Sequence, residues 1–267
     1  MTVGEVEAVL GRPERPLPIL DALAELELER ILVTGAAGSL GAALVERLEV
    51  AAATDIDTLD VREPPLDRWQ PTLVLHLAGA KHAPEGEQDP WGVCETNAVG
   101  TRNVLEAFPA ARVVLASTCK ACDPETAYGA SKLIAERMVL NAGGSVARFY
   151  NIVESSGNVF ETWAAVPPGE PLPVTVCSRY FMSMTEAVSL LLNAAVAAPG
   201  RYVFPVPFIR RIEDVAADLY PARDRDLIQP RRGDRRDEPR YALADRADPV
   251  GALERVTSPH DLAAALA

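Results

Sequence analysis

The sequence predicts an α/β fold in which a doubly wound parallel sheet is followed by a small C-terminal lobe. An apolar run at residues 31–34 leads directly into a glycine-rich turn and an amphipathic helix, which is the βα unit of a parallel sheet. Apolar runs and helical patterns alternate up to about residue 150, and after Pro167 the alternation weakens and prolines become dense. We therefore expect three parts: an N-terminal arm (1–29), the sheet domain (30–150) and a lobe (151–267) that shares the edge of the sheet.

Composition and charge exclude several classes of protein. The chain has 267 residues and a formal net charge of −12, which argues against general affinity for nucleic acid. No apolar run approaches the roughly 20 residues that span a membrane, and the N-terminus lacks the pattern of a signal peptide. We therefore expect a soluble cytoplasmic protein.

The four cysteines are too few for a disulfide scaffold in a chain of this length. Cys119 and Cys122 form a Cys-x-x-Cys pair, a spacing that also occurs at zinc and redox sites. No second pair accompanies it, and His76, His82 and His260 are scattered. Reduced thiols without a metal site are the expectation.

The glycine-rich turn carries Gly35, Gly38 and Gly41, with Ser39 and Leu40 between the last two. In a dinucleotide-binding turn of this kind, the first glycine permits the tight turn, the second lets the backbone approach pyrophosphate, and the third allows close helix–strand packing. The N-terminus of the following helix offers unpaired N–H groups to the phosphates. The spacing predicts a Rossmann-type dinucleotide-binding domain.

Acidic residues end the next apolar run, at residues 50–56. An acidic side chain here commonly accepts hydrogen bonds from the adenosine ribose, so Asp55 and Asp57 favour NAD over NADP. Arg62 could instead serve the 2′-phosphate of NADP. Asp60 stands where a contact with adenine could fall, and a solvated turn is an equally good interpretation of the extra aspartates.

Small residues follow the predicted strand at residues 72–78. Ala78 and Gly79 would let the chain lie close to the cofactor, with Lys81 beside them. Asn97 opens the next helix, and its side chain is either a structural hydrogen-bonding group or a participant in the cofactor site.

Tyr128 and Lys132 are four residues apart and therefore share one face of a predicted helix. A free tyrosine has a pKa of about 10, and a nearby ammonium group together with a positive nicotinamide would favour the phenolate. Tyr128 is thus a candidate base that takes a proton from a sugar hydroxyl while hydride leaves the carbon.

Together these segments resemble the extended short-chain dehydrogenase/reductase superfamily, and within it the CapD-type polysaccharide-biosynthesis branch, which includes inverting UDP-N-acetylglucosamine 4,6-dehydratases. The resemblance runs nearly end to end. The segments that carry it are 9–12, 33–41, 80–84, 96–106, 117–120, 128–132, 148–151, 155–157, 179–182 and 231–235 with Glu238.

The resemblance implies roles for individual residues. Tyr128 and Lys132 would help to oxidise carbon 4 of the sugar, Lys120 would remove the hydrogen on carbon 5, and Thr118 would hydrogen-bond near the sugar hydroxyl or ketone. The residues that would hold the uridine diphosphate sugar are Lys81, His82, Asn151, Arg179, Arg231 and Glu238. A homo-oligomer is a further expectation from the superfamily.

Three departures from the family pattern affect the sugar pocket. Cys119 replaces the aspartic acid that normally protonates the departing hydroxyl of carbon 6, and a thiol with a pKa of about 8.5 still carries a proton to donate. Tyr150 and Glu154 stand where glycine is usual. Elimination of water across carbons 5 and 6 could therefore stop at a 5,6-alkene.

The leading prediction is an NAD(P)-dependent nucleotide-sugar dehydratase that recycles its cofactor. A nucleotide-sugar epimerase or 4-ketoreductase is the alternative enzyme. A cofactor-binding sensor protein is the alternative outside catalysis, although a sensor would not need Tyr128, Lys132 and Lys120.

Overall fold

The computed structural model describes residues 1–26, 30–50, 70–204, 209–230 and 236–238. The helices are α1 (Val3–Leu10), α2 (Leu20–Leu26), α3 (Ser39–Val50), α4 (Ala83–Gln88), α5 (Pro90–Cys94), α6 (Gly100–Ala107), α7 (Ala127–Asn141), α8 (Val159–Ala164), α9 (Met184–Val196) and α10 (Ile212–Leu219). The strands are β1 (Ile31–Thr34), β2 (Leu73–His76), β3 (Arg112–Thr118), β4 (Ser145–Phe149), β5 (Asn151–Ile152), β6 (Leu172–Thr175), β7 (Ser178–Met182), β8 (Arg201–Val203), β9 (Ile209–Arg211) and β10 (Arg225–Ile228). Within these ranges no helix is long and apolar enough to cross a membrane.

Among the described residues, five strands form a parallel sheet in the order β1-β2-β3-β4-β8. Every pairing in it is parallel, so the carboxyl ends of the five strands meet at one edge. Strand β8 lies well beyond residue 150, which means that the chain returns from the predicted lobe to complete the sheet. The boundary at residue 150 therefore divides the sequence but not the sheet, and the three-part division of the chain stays a prediction.

Helices cover both faces of the sheet, which explains the nearly continuous apolar strands. Ile31 and Val33 pack on one face with residues of α2, α3 and α9, while Leu32 between them packs on the other face with residues of α6 and α7. This alternation is the period-two geometry of a strand. The doubly wound parallel sheet predicted from the sequence is confirmed.

A second, smaller core lies in the C-terminal part. It joins α1, α8 and α10 to strands β6 and β7, with Trp163 at its centre and only 1% exposed. Two short sheets, β5-β7-β9 and β10-β6, belong to this lobe.

The N-terminal arm divides between the two cores. Helix α1 packs against α10 in the lobe, whereas α2 packs against α9 on the sheet. Arg12, between them, donates to both carboxylate oxygens of the fully buried Glu186 at 2.5 and 3.0 Å. The predicted arm thus contains two helices, which tie the domain and the lobe together.

Several predicted features lie outside the described residues. Apart from Val50, which ends α3, the predicted strand at residues 50–56 is among them. The predicted cofactor residues Asp55, Asp57 and Asp60, the residue Arg62 and the predicted substrate residue Arg231 also lie outside the described ranges.

Candidate active site

A cleft of about 1160 Å³ opens at the carboxyl ends of β1 to β4 and is closed on its other side by the lobe. This is where ligands bind in open parallel sheets. The predicted site residues that line it are Gly35, Gly38, Ser39, Leu40, Gly41, Ala78, Gly79, Lys81, His82, Thr118, Lys120, Tyr128, Lys132, Asn151 and Arg179. Asn97, Cys119 and Glu238 are buried behind this lining.

The glycine turn is packed too closely for side chains. Gly35 adopts the left-handed φ of 72°, and a Cβ there would lie 2.6 Å from the backbone nitrogen of Ala78. A Cβ on Gly41 would lie 2.2 Å from the carbonyl oxygen of Gly35. The turn therefore leaves bare backbone and the N-terminus of α3 facing the cleft, which fits a pyrophosphate group.

We expect Gly41→Ala to lower the free energy of unfolding by about 1–3 kcal/mol, because the new methyl group meets backbone atoms that cannot move independently. Chemical denaturation measures the change. Gly4→Ala is the matched control, since a Cβ at Gly4 in α1 meets nothing within 4 Å, and alanine should leave stability unchanged or raise it by up to about 1 kcal/mol. Equal stability of the two variants would contradict the packing argument.

Asn97 clamps the loop that follows β2. Its Oδ1 accepts from the backbone nitrogen of Ala80 at 2.9 Å, and its Nδ2 donates to the Ala80 carbonyl and to Ser131 Oγ, both at 3.0 Å. Asn97 sits in a π-helical turn, Glu95–Val99, between α5 and α6. With 1% exposure, it fits the structural interpretation: it holds the predicted cofactor loop against α7.

His76 is a site-supporting residue that the sequence reasoning missed. It is fully buried, with Nδ1 2.7 Å from Thr34 Oγ1 and Nε2 3.0 Å from Thr101 Oγ1. Thr101 donates its own proton to the carbonyl of Asn97, so His76 Nε2–H must be the donor to Thr101. Burial, with a smaller effect from Lys132, lowers the pKa of His76 to about 3. The sequence did contain a signal for this role, which is a histidine at the end of an otherwise apolar strand.

Tyr128 and Lys132 line the cleft from one face of α7, as their spacing predicted. Burial lowers the pKa of Lys132 to about 8, against the opposing charge of Glu136. Burial raises the pKa of Tyr128, and the opposing effects are led by the charge of Lys120 and a hydrogen bond with Thr118. Lys120 is therefore a cation that favours the phenolate, a role that the sequence reasoning gave to Lys132 and the nicotinamide.

Lys120 lies in a cluster of polar side chains at the wall of the cleft. Its Nζ is 3.0 Å from Asn151 Oδ1 and 3.0 Å from Glu238 Oε1. Arg179 Nε is 3.8 Å from the same oxygen of Glu238. Three residues predicted to hold the substrate, Asn151, Arg179 and Glu238, thus contact one another or Lys120. Lys120 is the residue predicted to take the hydrogen from carbon 5.

Cys119 lies beside the cleft wall but is not part of its lining, and its side chain hydrogen-bonds with Thr118. Its side chain is 2% exposed and packs in the main hydrophobic core with Tyr150 and Tyr180. Burial, reinforced by the charge of Glu238, raises the pKa of the Cys119 thiol to about 11. The thiol is therefore protonated. Because the side chain is buried, a substrate in the cleft could not receive the proton from it directly.

The second cysteine of the pair is also buried. Cys122 Sγ accepts a hydrogen bond from Arg148 at 2.9 Å. Across the ranges that the structure describes, no group of three or more histidine, cysteine, aspartate or glutamate side chains is arranged to hold a metal ion.

The other two departures from the family pattern make contacts within the protein. Tyr150 donates its hydroxyl proton to the carbonyl of Phe204 at 3.0 Å, and its ring lies 5.4 Å from that of Tyr180. Glu154 accepts from the backbone nitrogen of Met184 at 2.9 Å, and burial raises the pKa of its carboxyl group. Tyr150 lines the cleft with its ring while its hydroxyl is engaged elsewhere.

The loop at residues 155–157 bridges the mouth of the cleft. Ser156 donates its backbone N–H to Ser39 Oγ at 3.0 Å, and Lys81 Nζ donates to the Ser156 carbonyl at 2.7 Å. A Cβ on Gly157 would lie 2.7 Å from the ring of His82. The lobe therefore contacts the glycine turn and the loop after β2 directly.

Comparison with known proteins agrees with this architecture. The family profile described as "Polysaccharide biosynthesis protein" matches residues 50–235. The capsular polysaccharide biosynthesis protein CapD of Staphylococcus aureus is 30% identical over a match that covers 80% of this chain and 44% of that protein. An inverting UDP-N-acetylglucosamine 4,6-dehydratase of Campylobacter jejuni is 30% identical over a match that covers 61% of this chain and 54% of that enzyme. The chain thus spans about half the length of these two relatives.

Among solved structures, the UDP-glucose 4-epimerase of Thermus thermophilus in complex with NAD superposes with a TM-score of 0.71 at 21% identity, over 78% of this chain and 89% of the epimerase. At that identity the likeness shows the fold, which is the Rossmann-type fold predicted from the glycine turn. Together with the matched family profile, it confirms the resemblance seen in the motifs. The chain belongs to the polysaccharide biosynthesis protein family.

Proposed function

We propose that this protein is a nucleotide-sugar dehydratase that uses a nicotinamide cofactor and acts on a UDP-hexosamine such as UDP-N-acetylglucosamine. The observation that carries the proposal is the convergence of the bare glycine turn, Tyr128, Lys132 and Lys120 on one cleft. A relative, the UDP-N-acetylglucosamine 4,6-dehydratase of Campylobacter jejuni, supports the reaction class.

The residues around the glycine turn fit a dinucleotide. Gly35 and Gly41 leave space that a Cβ would fill, and Ser39 begins the helix whose N-terminus faces that space. The related epimerase holds NAD, and the acidic residues after the turn favour NAD over NADP in the sequence. When bound, the nicotinamide would accept hydride from carbon 4 of the sugar and later return it.

Each side chain has a proposed task. Tyr128 takes the proton from the hydroxyl on carbon 4, with Thr118 hydrogen-bonded to its phenol and Lys132 beside it on α7. The ketone formed at carbon 4 acidifies the hydrogen on carbon 5, and Lys120 is the group that removes it. Arg179 and Asn151 line the part of the cleft where we expect the uridine diphosphate sugar.

The test is incubation of the purified protein with UDP-N-acetylglucosamine in deuterium oxide, followed by mass spectrometry and proton NMR. We expect loss of one water and deuterium in the 4-keto-6-deoxy product. Vinylic protons would instead identify the 5,6-alkene, the outcome that the Cys119 substitution suggests. An unchanged substrate would contradict the dehydratase proposal.

One observation favours a second candidate, a nucleotide-sugar 4-epimerase or 4-ketoreductase. Cys119, which replaces the family's proton donor to carbon 6, is buried and does not line the cleft. Chemistry confined to carbon 4 would not need that donor. A product of unchanged mass with inverted carbon 4, or stoichiometric use of reduced nicotinamide, would identify this candidate in the same experiment.

A further inference from the structure

Lys120 faces the cleft, whereas Glu238, the carboxylate that pairs with it, does not. The side chain of Lys120 is 25% exposed and lines the cleft, whereas that of Glu238 is 1% exposed and lies behind it. The distance between Lys120 Nζ and Glu238 Oε1 is 3.0 Å. Glu238 can therefore influence a molecule in the cleft only through Lys120 and its other neighbours.

The carboxylate of Glu238 is itself fixed on several sides. Its Oε2 accepts from the backbone nitrogen of Tyr180 at 3.0 Å, and both oxygens accept from Asn151 Nδ2 at 3.1 Å. Burial would raise the pKa of Glu238, but the charges of Lys120 and Arg179 outweigh it and the pKa is lowered. The group is a rigid, ionised carboxylate.

We propose that Glu238 is a positioning residue for Lys120: its carboxylate, held behind the cleft wall at 3.0 Å from Lys120 Nζ, fixes the ammonium group where it faces the cleft. The sequence resemblance gave Glu238 a place against the substrate, and its position behind Lys120 indicates this indirect role instead.

The groups facing Lys120 act in opposite directions. Burial and the charge of Arg179 lower the pKa of Lys120, while Glu238, Cys119 and Tyr128 raise it, and Glu238 is the largest of these three. The net result is a raised pKa. Without the carboxylate, the largest effect that holds the proton on Lys120 would be lost.

The consequence for catalysis rests on the proposed function. Lys120 must first release a proton to solvent before its lone pair can take the hydrogen on carbon 5. In that step the C–H bond breaks, an N–H bond forms, and the electron pair remains on the sugar as the enolate of the 4-ketone. Glu238 stabilises the resulting ammonium group but narrows the pH range in which the free amine exists.

The direct test needs no substrate. Competitive acetylation with acetic anhydride, read at the peptide containing Lys120 by mass spectrometry, gives the pH midpoint of Lys120 reactivity. In Glu238→Gln we expect the midpoint to fall by about 1 to 3 pH units, the usual effect of a close opposite charge. Glu213→Gln, which removes an exposed carboxylate paired with Arg211 at 2.8 Å, is the matched control and should match the wild type.

A second variant protects the test against a folding defect in Glu238→Gln. Arg179→Gln removes a cation that faces Lys120, so the midpoint should move in the opposite direction, to higher pH. Thermal melts establish that each variant is folded. An unchanged midpoint in both Glu238→Gln and Arg179→Gln would overturn the proposal.

Turnover provides a separate readout. With UDP-N-acetylglucosamine, the pH limb for deuterium exchange at carbon 5 should move to lower pH in Glu238→Gln, in the same direction as the acetylation midpoint. A limb at the wild-type position would contradict an effect through Lys120. Absence of turnover in every form, with the acetylation midpoints shifted as expected, would reject the proposed function and leave the positioning role supported.

Discussion

Replacing Tyr128 with phenylalanine should reduce turnover of the nucleotide sugar about 100- to 10,000-fold, the usual contribution of a positioned acid–base group. The hydroxyl that is lost is the one hydrogen-bonded with Thr118 and influenced by the charge of Lys120. Because Tyr128 is 8% exposed and the ring is retained, we expect folding and nicotinamide binding to change little. Initial rates and cofactor titration measure the two properties separately.

Tyr220→Phe is the matched control, since it removes one phenolic hydroxyl outside the cleft. The ring of Tyr220 packs edge-on against Trp163 in the lobe, with centroids 6.2 Å apart, and that contact survives the substitution. Turnover should remain near that of the wild type. Near-normal turnover in Tyr128→Phe as well would assign the proton transfer at carbon 4 to another group.

Replacing Glu136 with alanine should lower the free energy of unfolding by about 3–5 kcal/mol, because it removes the buried carboxylate that pairs with two buried arginines. Glu136 is fully buried. It accepts from Ser117 Oγ at 2.6 Å, from Arg148 at 2.8 and 2.7 Å, and from Arg201 at 3.1 Å. This cluster joins α7 to β3, β4 and β8 directly beneath the cleft, and denaturant titration measures its loss.

Glu106→Ala is the control for the stability measurement. Glu106 pairs with Arg102 on α6, but the two side chains are 69% and 57% exposed, so the pair should contribute no more than about 1 kcal/mol. Similar losses of stability in both variants would mean that the loss in Glu136→Ala comes from replacing a glutamate within a helix and not from disrupting the buried cluster.

Local patterns were sufficient to predict the parallel sheet and one wall of the cleft. The glycine turn lies between a strand and a helix that are adjacent in the chain, and the spacing of Tyr128 and Lys132 fixes their common face within one helix. Both features depend on contacts between residues close together in the chain, which backbone geometry determines directly.

Contacts between distant parts of the chain decided the rest. The carboxylate of Glu238 meets Lys120 across 118 positions of sequence, so only folding shows that the predicted base is an ammonium group in an ion pair. The motif gave the position of Cys119 but not its burial, and the fold encloses the side chain in the cluster that includes Tyr150 and Tyr180. His76 likewise becomes part of the site only when Thr34 and Thr101 close around it. Sequence periodicity determined which elements form. How those elements pack decided which side chains line the cleft and which of them are protonated, because burial and neighbouring charges control the pKa of each group.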